Sequence, residues 1–450
     1  MREAVSGIFI SEGQVFMAHR QNYLRAFPGY HAFPGGKVDK EDAVEGGIEH
    51  SLFKKYPHRF MKALCREMKE ELGVDIIELV NKGFVEDIHE IGIGVTPDFN
   101  PYRFDTHFFI IVLKEKVSFK VDKEEAQKAY WSDPKDLLEN YYKAKILAVP
   151  PIITLLKGLD EDINRRDFID LSLKYDTEKE VPMIESIFGV KQFMPLSNTI
   201  PPANRTNSFL IGDRESGAFL VDPSPKDLVE RDKLIYTLRN FGVDAIFLTH
   251  HHGDHHEFAP VIAKKLNIPL YCSQDSFHRI KNIWGEDYFE GVKVNLVGDG
   301  DILTKSLGEN VYLYSVPGHD EGQLALANES LDWFIVGDLI QGVGTVVVGG
   351  PEGDMEKYLN SLRMVIEKSP AFIYPSHGIA MGGTWKLEET LKHRLMREKQ
   401  IKKYNEEGKN IEEILQLIYG EIDPGLFPYA RKNIHSHLKK IEEDKKRGLS

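Results

Sequence analysis

The chain has 450 residues, 42% hydrophobic and 28% charged, with a formal charge of -13. That length exceeds one ordinary core, so about two or three domains are expected. The acidic balance excludes a chain built mainly to coat nucleic acid or an anionic membrane. The two cysteines, Cys65 and Cys272, offer neither a disulfide framework nor a CxxC motif. No stretch reaches the roughly 20 apolar residues that span a bilayer, and the apolar run at the N-terminus is too short for a signal peptide. These features read as a cytoplasmic protein with no membrane partner.

In chain order, "AVSGIFI" and "QVFMAHR" read as paired strands, followed by a loop rich in Gly, Pro and aromatics that ends at "FPGGKVD". Helical periodicity runs from about Arg59 to Leu72. Strand-like runs follow at "THFFIIVLK" and "EEAQKAYW", then a helical stretch from "PKDLLENYY" to "ITLLKGL". A charge-dense, weakly periodic segment marks a boundary, placing a first domain at 1–165 and a linker at 166–185. Short apolar strands then alternate with helices: "NSFLIGD", "GAFLVDP", a helix near Leu228 to Arg239, "AIFLTH", a helix near Pro260 to Leu266, "IPLYC". Later strands appear at "VKVNLVG", "VYLYSVP", "LALANE", "DWFIVGD" and "AFIYPSH". A layered domain is implied for 186–385. From about Lys386 the pattern is helical and locally basic, giving an extension over 386–450.

"THHHGDHH", residues 249–256, packs five of the seventeen histidines onto a loop after a buried strand. Three further strand-like runs also end close to a potential ligand: "YSVPGHD" presents His319, "WFIVGD" presents Asp338 and "IYPSHG" presents His377. A single His or Asp after a strand is more often a turn residue. The whole ordered set after HxHxDH is harder to dismiss as chance.

This pattern resembles the metallo-β-lactamase superfamily over roughly residues 190–385. The resemblance implies an αβ/βα sandwich with two metals at one edge: His250, His252 and His319 for the first, Asp254, His255 and His377 for the second, and Asp338 between them. His251 and His256 fall outside it, as residues behind the ligands or on the surface. Imidazoles suit zinc, and a shared carboxylate lets two cations sit close together. Two Zn²⁺ are the first choice, with Fe or Mn as alternatives for the same donors. Such a pair lowers the pKa of water toward neutrality, and Asp254 is counted with the catalytic residues. The tail, from "HRLMREKQI" to "YARKNIHSHLKKIEEDKKRG", resembles the winged-helix-like extension of the β-lactamase-like protein 2 family. Members of that family include a single-strand endoribonuclease, and others are compared with a thioesterase. Arg431, Lys432, Lys439 and Lys440 are candidates to meet phosphates, although acidic residues alternate with them and no aromatic series accompanies them.

"REMKEELGV" places Glu67, Glu70 and Glu71 on one helix face beside the apolar stripe of Leu64, Met68 and Leu72. Three like charges there are costly without a cation, and a hard oxygen-liganded ion, Mg²⁺ or Mn²⁺, fits. With "FPGG" before it, the segment resembles the Nudix box, which implies Glu67, Glu70 and Glu71 as catalytic metal ligands and Arg66 as the residue orienting a glutamate. Asp42 stands where that box has Glu, and an insertion of about sixteen residues separates it from Arg66. Leu24, Arg25 and Gly29 are spaced as in the coenzyme A branch of Nudix proteins.

The fold class expected is therefore multidomain α/β: a Nudix α/β/α sandwich, then a metallo-β-lactamase αβ/βα sandwich with a winged-helix-like helical extension. The function expected is that of a two-domain metal-dependent hydrolase. Its Nudix domain would cut a small-molecule nucleotide or coenzyme A-type substrate, and its second domain a thioester or ester. Two alternatives stay open: cleavage of single-stranded RNA by the second domain, and a non-catalytic binding or regulatory role for one domain.

Overall fold

The computed structural model describes residues 1–44 and 46–448. Residue 45, in the expected Nudix-box insertion, and residues 449 and 450, at the end of the expected extension, lie outside the described residues. The chain divides into two units, Met1–Tyr175 with Ile184–Phe188, and Asp176–Met183 with Gly189–Ser450. Within 166–185, expected as linker, Ile169–Asp170 instead pairs with Gly92 and Ile93, and Met183 begins the strand Met183–Ile187. Charge density hid these short strands, because neither carries an apolar run.

The first unit is built on an eight-stranded sheet. Its long central pair, Arg2–Ser11 and Phe104–Leu113, runs parallel, with Val85–Val95 antiparallel on the next side. Period-two alternation sends Ile8, Ile10, Phe108 and Ile110 to one face, where the helices Pro134–Tyr142 and Pro150–Glu161 pack. Phe9, Phe109 and Ile111 go to the other, against the helix His58–Leu72. That helix buries Phe60, Met61, Leu64, Met68 and Leu72 at three- and four-residue spacing. It stops at Gly73, whose φ of 66° only glycine adopts cheaply and whose N–H bonds Lys69 O. The result is an α/β/α sandwich.

The second unit stacks two sheets. One carries, in order, Val294–Leu296, Leu270–Cys272, Ala245–Phe247, Phe219–Val221, Ser208–Ile211 and Val190–Phe193. The other is six-stranded and runs from Ile302–Ser306 through Glu309–Ser315, Leu324–Asn328, Trp333–Gly337 and Phe372–Pro375 to Met381–Gly382. Phe209 of the first meets Tyr374 of the second edge to face at 5.3 Å. The helices Leu228–Leu238, Ala259–Leu266 and Gln274–Trp284 cover the outer face of the first sheet through Leu234, Ile262 and Ile280. Met355–Lys368 covers the second through Leu359, Leu362 and Val365. Three helices close the chain, Trp385–Glu406, Ile411–Tyr419 and Phe427–Lys446, and share a small core of Ile401, Ile414, Leu415 and Ile434. Among the described residues no helix is long and apolar enough to cross a membrane.

Leu64 is fully buried under the first unit's sheet, against Gly7. Leu64→Ala is expected to cost about 2–5 kcal/mol, read as a lower midpoint for the first unit's denaturant transition in the full chain. The transition of the second unit should stay in place.

Candidate metal centre

Five strand ends deliver the site. Phe219–Val221 leads to Asp222, Ala245–Phe247 to Thr249 and His250, Glu309–Ser315 to His319, Trp333–Gly337 to Asp338, and Phe372–Pro375 to His377. A one-turn helix, Gly253–His256, carries Asp254 and His255 on from His252. All seven residues singled out from the sequence converge. His250, His252 and His319 form one group and Asp254, His255 and His377 another, each with ligand atoms within 4.8 Å of one another.

His250 Nε2 and His319 Nε2 lie 3.0 and 2.9 Å from His252 Nδ1. Asp254 Oδ2 is 3.8 Å from His255 Nε2 and 3.6 Å from His377 Nε2. Asp338 stands between the groups. Its Oδ1 is 3.7 Å from His255 Nε2 and 3.4 Å from His377 Nε2, and its Oδ2 is 3.5 Å from His319 Nε2. His255 Nε2, His377 Nε2 and Asp338 Oδ1 are buried with no hydrogen-bond partner among the described residues. Buried polar atoms left so are costly, and three of them converging is what a cation-binding donor set looks like. The residues fit a metal site.

Three of the histidines are aimed from behind. His255 Nδ1 bonds Asp222 Oδ2 at 2.9 Å, His377 Nδ1 donates to Arg205 O at 2.8 Å, and His319 Nδ1 donates to Val347 O at 2.8 Å. Asp222 also accepts from Thr249 N–H and Oγ1. Such outer partners fix ring orientation and tautomer. Burial, with the neighbouring rings adding to it, drives His250 far below the usual imidazole range and His319 down to about 4. Burial also works against charge on His255, but Asp254, Asp338 and Asp222 outweigh it and raise the ring to about 10. His377 is raised as well, against burial, by Asp338 and Asp254.

His251 and His256 are both buried. His251 pairs with Asp320, and His256 binds Tyr288 Oη at 2.8 Å and His251 O at 2.9 Å. They lock the loop that carries the ligands. Asp222 was not singled out from the sequence, although "GAFLVDP" ends on it in the same way as the other strands end on ligands.

The pocket over this centre has a volume of about 560 Å³. Ile200, Trp284 and Val347 give it an apolar side, and Tyr429 and Lys432 of the last helix complete it. Of the tail cations considered for phosphates, Arg431 is held by Glu412 at 2.6 and 2.8 Å, Lys440 by Glu398 and Asp444, and Lys439 lies 3.8 Å from Asp354.

In the first unit, Arg66 gathers the acids. It donates to Asp42 at 2.9 Å, Glu67 at 2.8 Å, Glu70 at 3.1 Å and Lys37 O at 2.8 Å. Asp42 thus reaches Arg66 despite the insertion, from the short turn Lys40–Ala43. Glu71 accepts Gly35 N–H at 3.1 Å. A Cβ at Gly36 would lie 2.4 Å from the Glu67 carboxylate and would displace that side chain. The three glutamates do not converge as the histidines do: among the described residues the compact ligand groups all lie in the second unit. Burial raises Glu67 and lifts Glu71 to about 8, although Arg20 and Gly35 pull Glu71 down.

Residues 201–377 match the model of the Metallo-beta-lactamase superfamily, and residues 411–446 that of the Beta-lactamase associated winged helix domain. The second unit carries a metallo-beta-lactamase domain with its associated winged helix. The chain is 27% identical over 255 residues to a beta-lactamase-like protein 2 homolog of Drosophila melanogaster, covering 54% of this chain and 85% of that one. It is 25% identical over 226 residues to an atrochrysone carboxyl ACP thioesterase of Claviceps purpurea, covering 48% and 67%. Among solved structures, a beta-lactamase domain protein from Burkholderia ambifaria is similar at a TM-score of 0.52 with 17% identity, over 60% of this chain and 90% of that one. A NUDIX hydrolase from Alicyclobacillus acidocaldarius covers 36% of this chain and 91% of its own, with 24% identity and a TM-score of 0.29. No Nudix family model matches the first unit. A domain of this superfamily points to a metal-dependent hydrolase.

Asp222→Ala removes the acceptor behind His255 and the acceptor of Thr249 N–H. Metal affinity is expected to fall roughly 10- to 100-fold, measured as ions retained per chain after dialysis against a weak chelator.

Proposed function

We propose that the metallo-beta-lactamase domain hydrolyses a thioester or ester, and that the first unit is a Nudix-type diphosphatase for a nucleoside diphosphate-linked substrate, coenzyme A or a derivative. The observation that carries the first half is Asp338, with one oxygen toward each histidine group. His250, His252 and His319 would hold one ion, Asp254, His255 and His377 the other, with zinc the first choice and iron or manganese suited to the same donors. When bound, such a pair supplies Lewis acidity toward a carbonyl oxygen and acidifies water near neutral pH. Asp254, half-buried with Oδ2 toward His255 and His377, would take a proton at its other oxygen as water attacks and return it to the leaving group. Trp284 and Ile200 offer an apolar wall for an acyl chain, and Lys432 offers a cation to an anionic carrier.

A thioester is preferred to RNA on two grounds. The relative from Claviceps purpurea is named a thioesterase, and Arg431 and Lys440 are tied to acids within the tail.

For the first unit, a pocket of about 560 Å³ joins Glu67, Glu70 and Glu71 to Arg20 and Arg25 and to Phe27, Phe33 and Phe104. Cations for a diphosphate, rings for a base and acids for Mg²⁺ or Mn²⁺ thus share one cavity. Arg66 orients Glu67, and Gly35 N–H orients Glu71.

Two activities on one chain are separable. With acetyl-CoA and longer acyl-CoA thioesters, Asp254→Ala is expected to lower turnover roughly 100- to 10,000-fold and to leave coenzyme A diphosphate cleavage intact. Glu71→Gln should do the reverse. No thioester turnover by the metal-loaded full chain would sink the first half of the proposal, and no diphosphate cleavage the second.

Glu71 stays protonated up to about pH 8, and a divalent ion must displace that proton. Mg²⁺ affinity of the first unit is therefore expected to rise with pH toward 8 and level off above it, by calorimetric titration. Glu71→Gln should remove that dependence.

A further inference from the structure

The winged helix does more than follow the metallo-beta-lactamase domain in sequence. The loop 345–349 forms one side of the pocket through Thr345, Val347 and Gly349, and its Val347 carbonyl accepts the Nδ1–H of His319. Nothing within the loop's own sequence fixes that carbonyl. On one side of Val347, the Val346 carbonyl accepts from Arg394 Nη2 of the helix Trp385–Glu406. On the other, Val348 N–H donates to Asn433 Oδ1 of the helix Phe427–Lys446 at 2.8 Å. Arg394 Nη1 donates to the same Asn433 oxygen at 3.2 Å and closes the clamp.

Both side chains are buried, Arg394 at 2% exposure and Asn433 at 6%. A buried guanidinium and amide are costly unless each finds partners, so their placement is specific and not incidental. The approach is close: a Cβ on Gly349 would lie 2.7 Å from the Lys432 carbonyl, so only glycine lets the loop meet the last helix this tightly. Arg394 also sits over the ring of Tyr358, 5.5 Å from its centroid, and Tyr358 Oη donates to Leu339 O, next to Asp338.

We propose that Arg394 and Asn433 are positioning residues for His319, acting through the loop 346–348, so that the C-terminal helices are a structural part of the metal centre. A His319 ring held by a fixed carbonyl presents Nε2 at one angle to the position shared with His250 and His252. Released, the ring turns, and the group loses one of its three nitrogens. The inference rests on the reading that these three histidines hold one ion and that Asp254, His255 and His377 hold the other.

The test uses the full chain loaded with Zn²⁺, with ions per chain counted during titration with a chromophoric chelator and folding followed by circular dichroism. Wild type is expected to hold two ions. Asn433→Ala should lose one of them at a chelator concentration at least about tenfold lower while keeping the other. Asn433→Asp, which keeps an oxygen for Val348 N–H and Arg394, should restore the wild-type curve. Should Asn433→Ala fail to fold, Arg394→Lys, which cannot reach both Val346 O and Asn433, carries the same expectation of one weakened ion. A folded variant of either kind that keeps both ions on the wild-type curve overturns the proposal. Fewer than two ions in wild type overturns the dinuclear reading itself, and this inference with it.

Discussion

A buried carboxylate among buried imidazoles is the constraint on which the second unit is organised. Asp338 is removed from water, with His255, His377 and His319 against its two oxygens. Burial opposes its ionisation, yet the charges of His377 and His255 hold it ionised. Such a cluster persists only if positive charge is supplied at both oxygens, because an unpaired buried anion is far more costly than a paired one. Without metal, ring protons on His255 and His377 supply it. Cations at the two ligand groups would supply it better and leave no polar atom unmet. The fold is arranged accordingly: apolar strands end together, and the rings of His255, His319 and His377 are gripped at Nδ1 from outside the site.

The first unit meets a similar demand in a different way. Its helix His58–Leu72 brings three glutamates to one side, but flexible side chains turn to the nearest donors. Arg66 takes Glu67 and Glu70, and Gly35 N–H takes Glu71. Imidazoles anchored at one nitrogen have no such freedom. That is why the histidine side chains are already gathered in their own fold while the glutamates are not.

Much of this was legible in the sequence, for physical reasons. Candidate ligands at the ends of buried strands follow apolar runs that are easy to see, so the seven residues that converge in the second unit stood out. The helix around Glu67 to Glu71 showed itself by its apolar stripe. Other parts left weaker traces. Val85–Val95 is interrupted by Glu86, Asp87, His89 and Glu90 and lacks an apolar run, although it pairs along its length with Phe104–Leu113. The helices Gln274–Trp284 and Met355–Lys368 are amphipathic with many charges and were not read as elements. Asp222, Arg394 and Asn433 act through backbone groups or rings distant in sequence. No local spacing announces such partners. His251 and His256, left open as second-rank or surface positions, proved to be buried struts of the ligand loop.

The central claim is that the second unit holds two ions on either side of Asp338. Anomalous diffraction from crystals of the metal-loaded full chain, recorded at the absorption edge of the bound metal, tests it most directly. The account predicts two peaks, one against His250, His252 and His319 and one against Asp254, His255 and His377, with the Asp338 carboxylate between them. A single peak, or peaks away from Asp338, would contradict it.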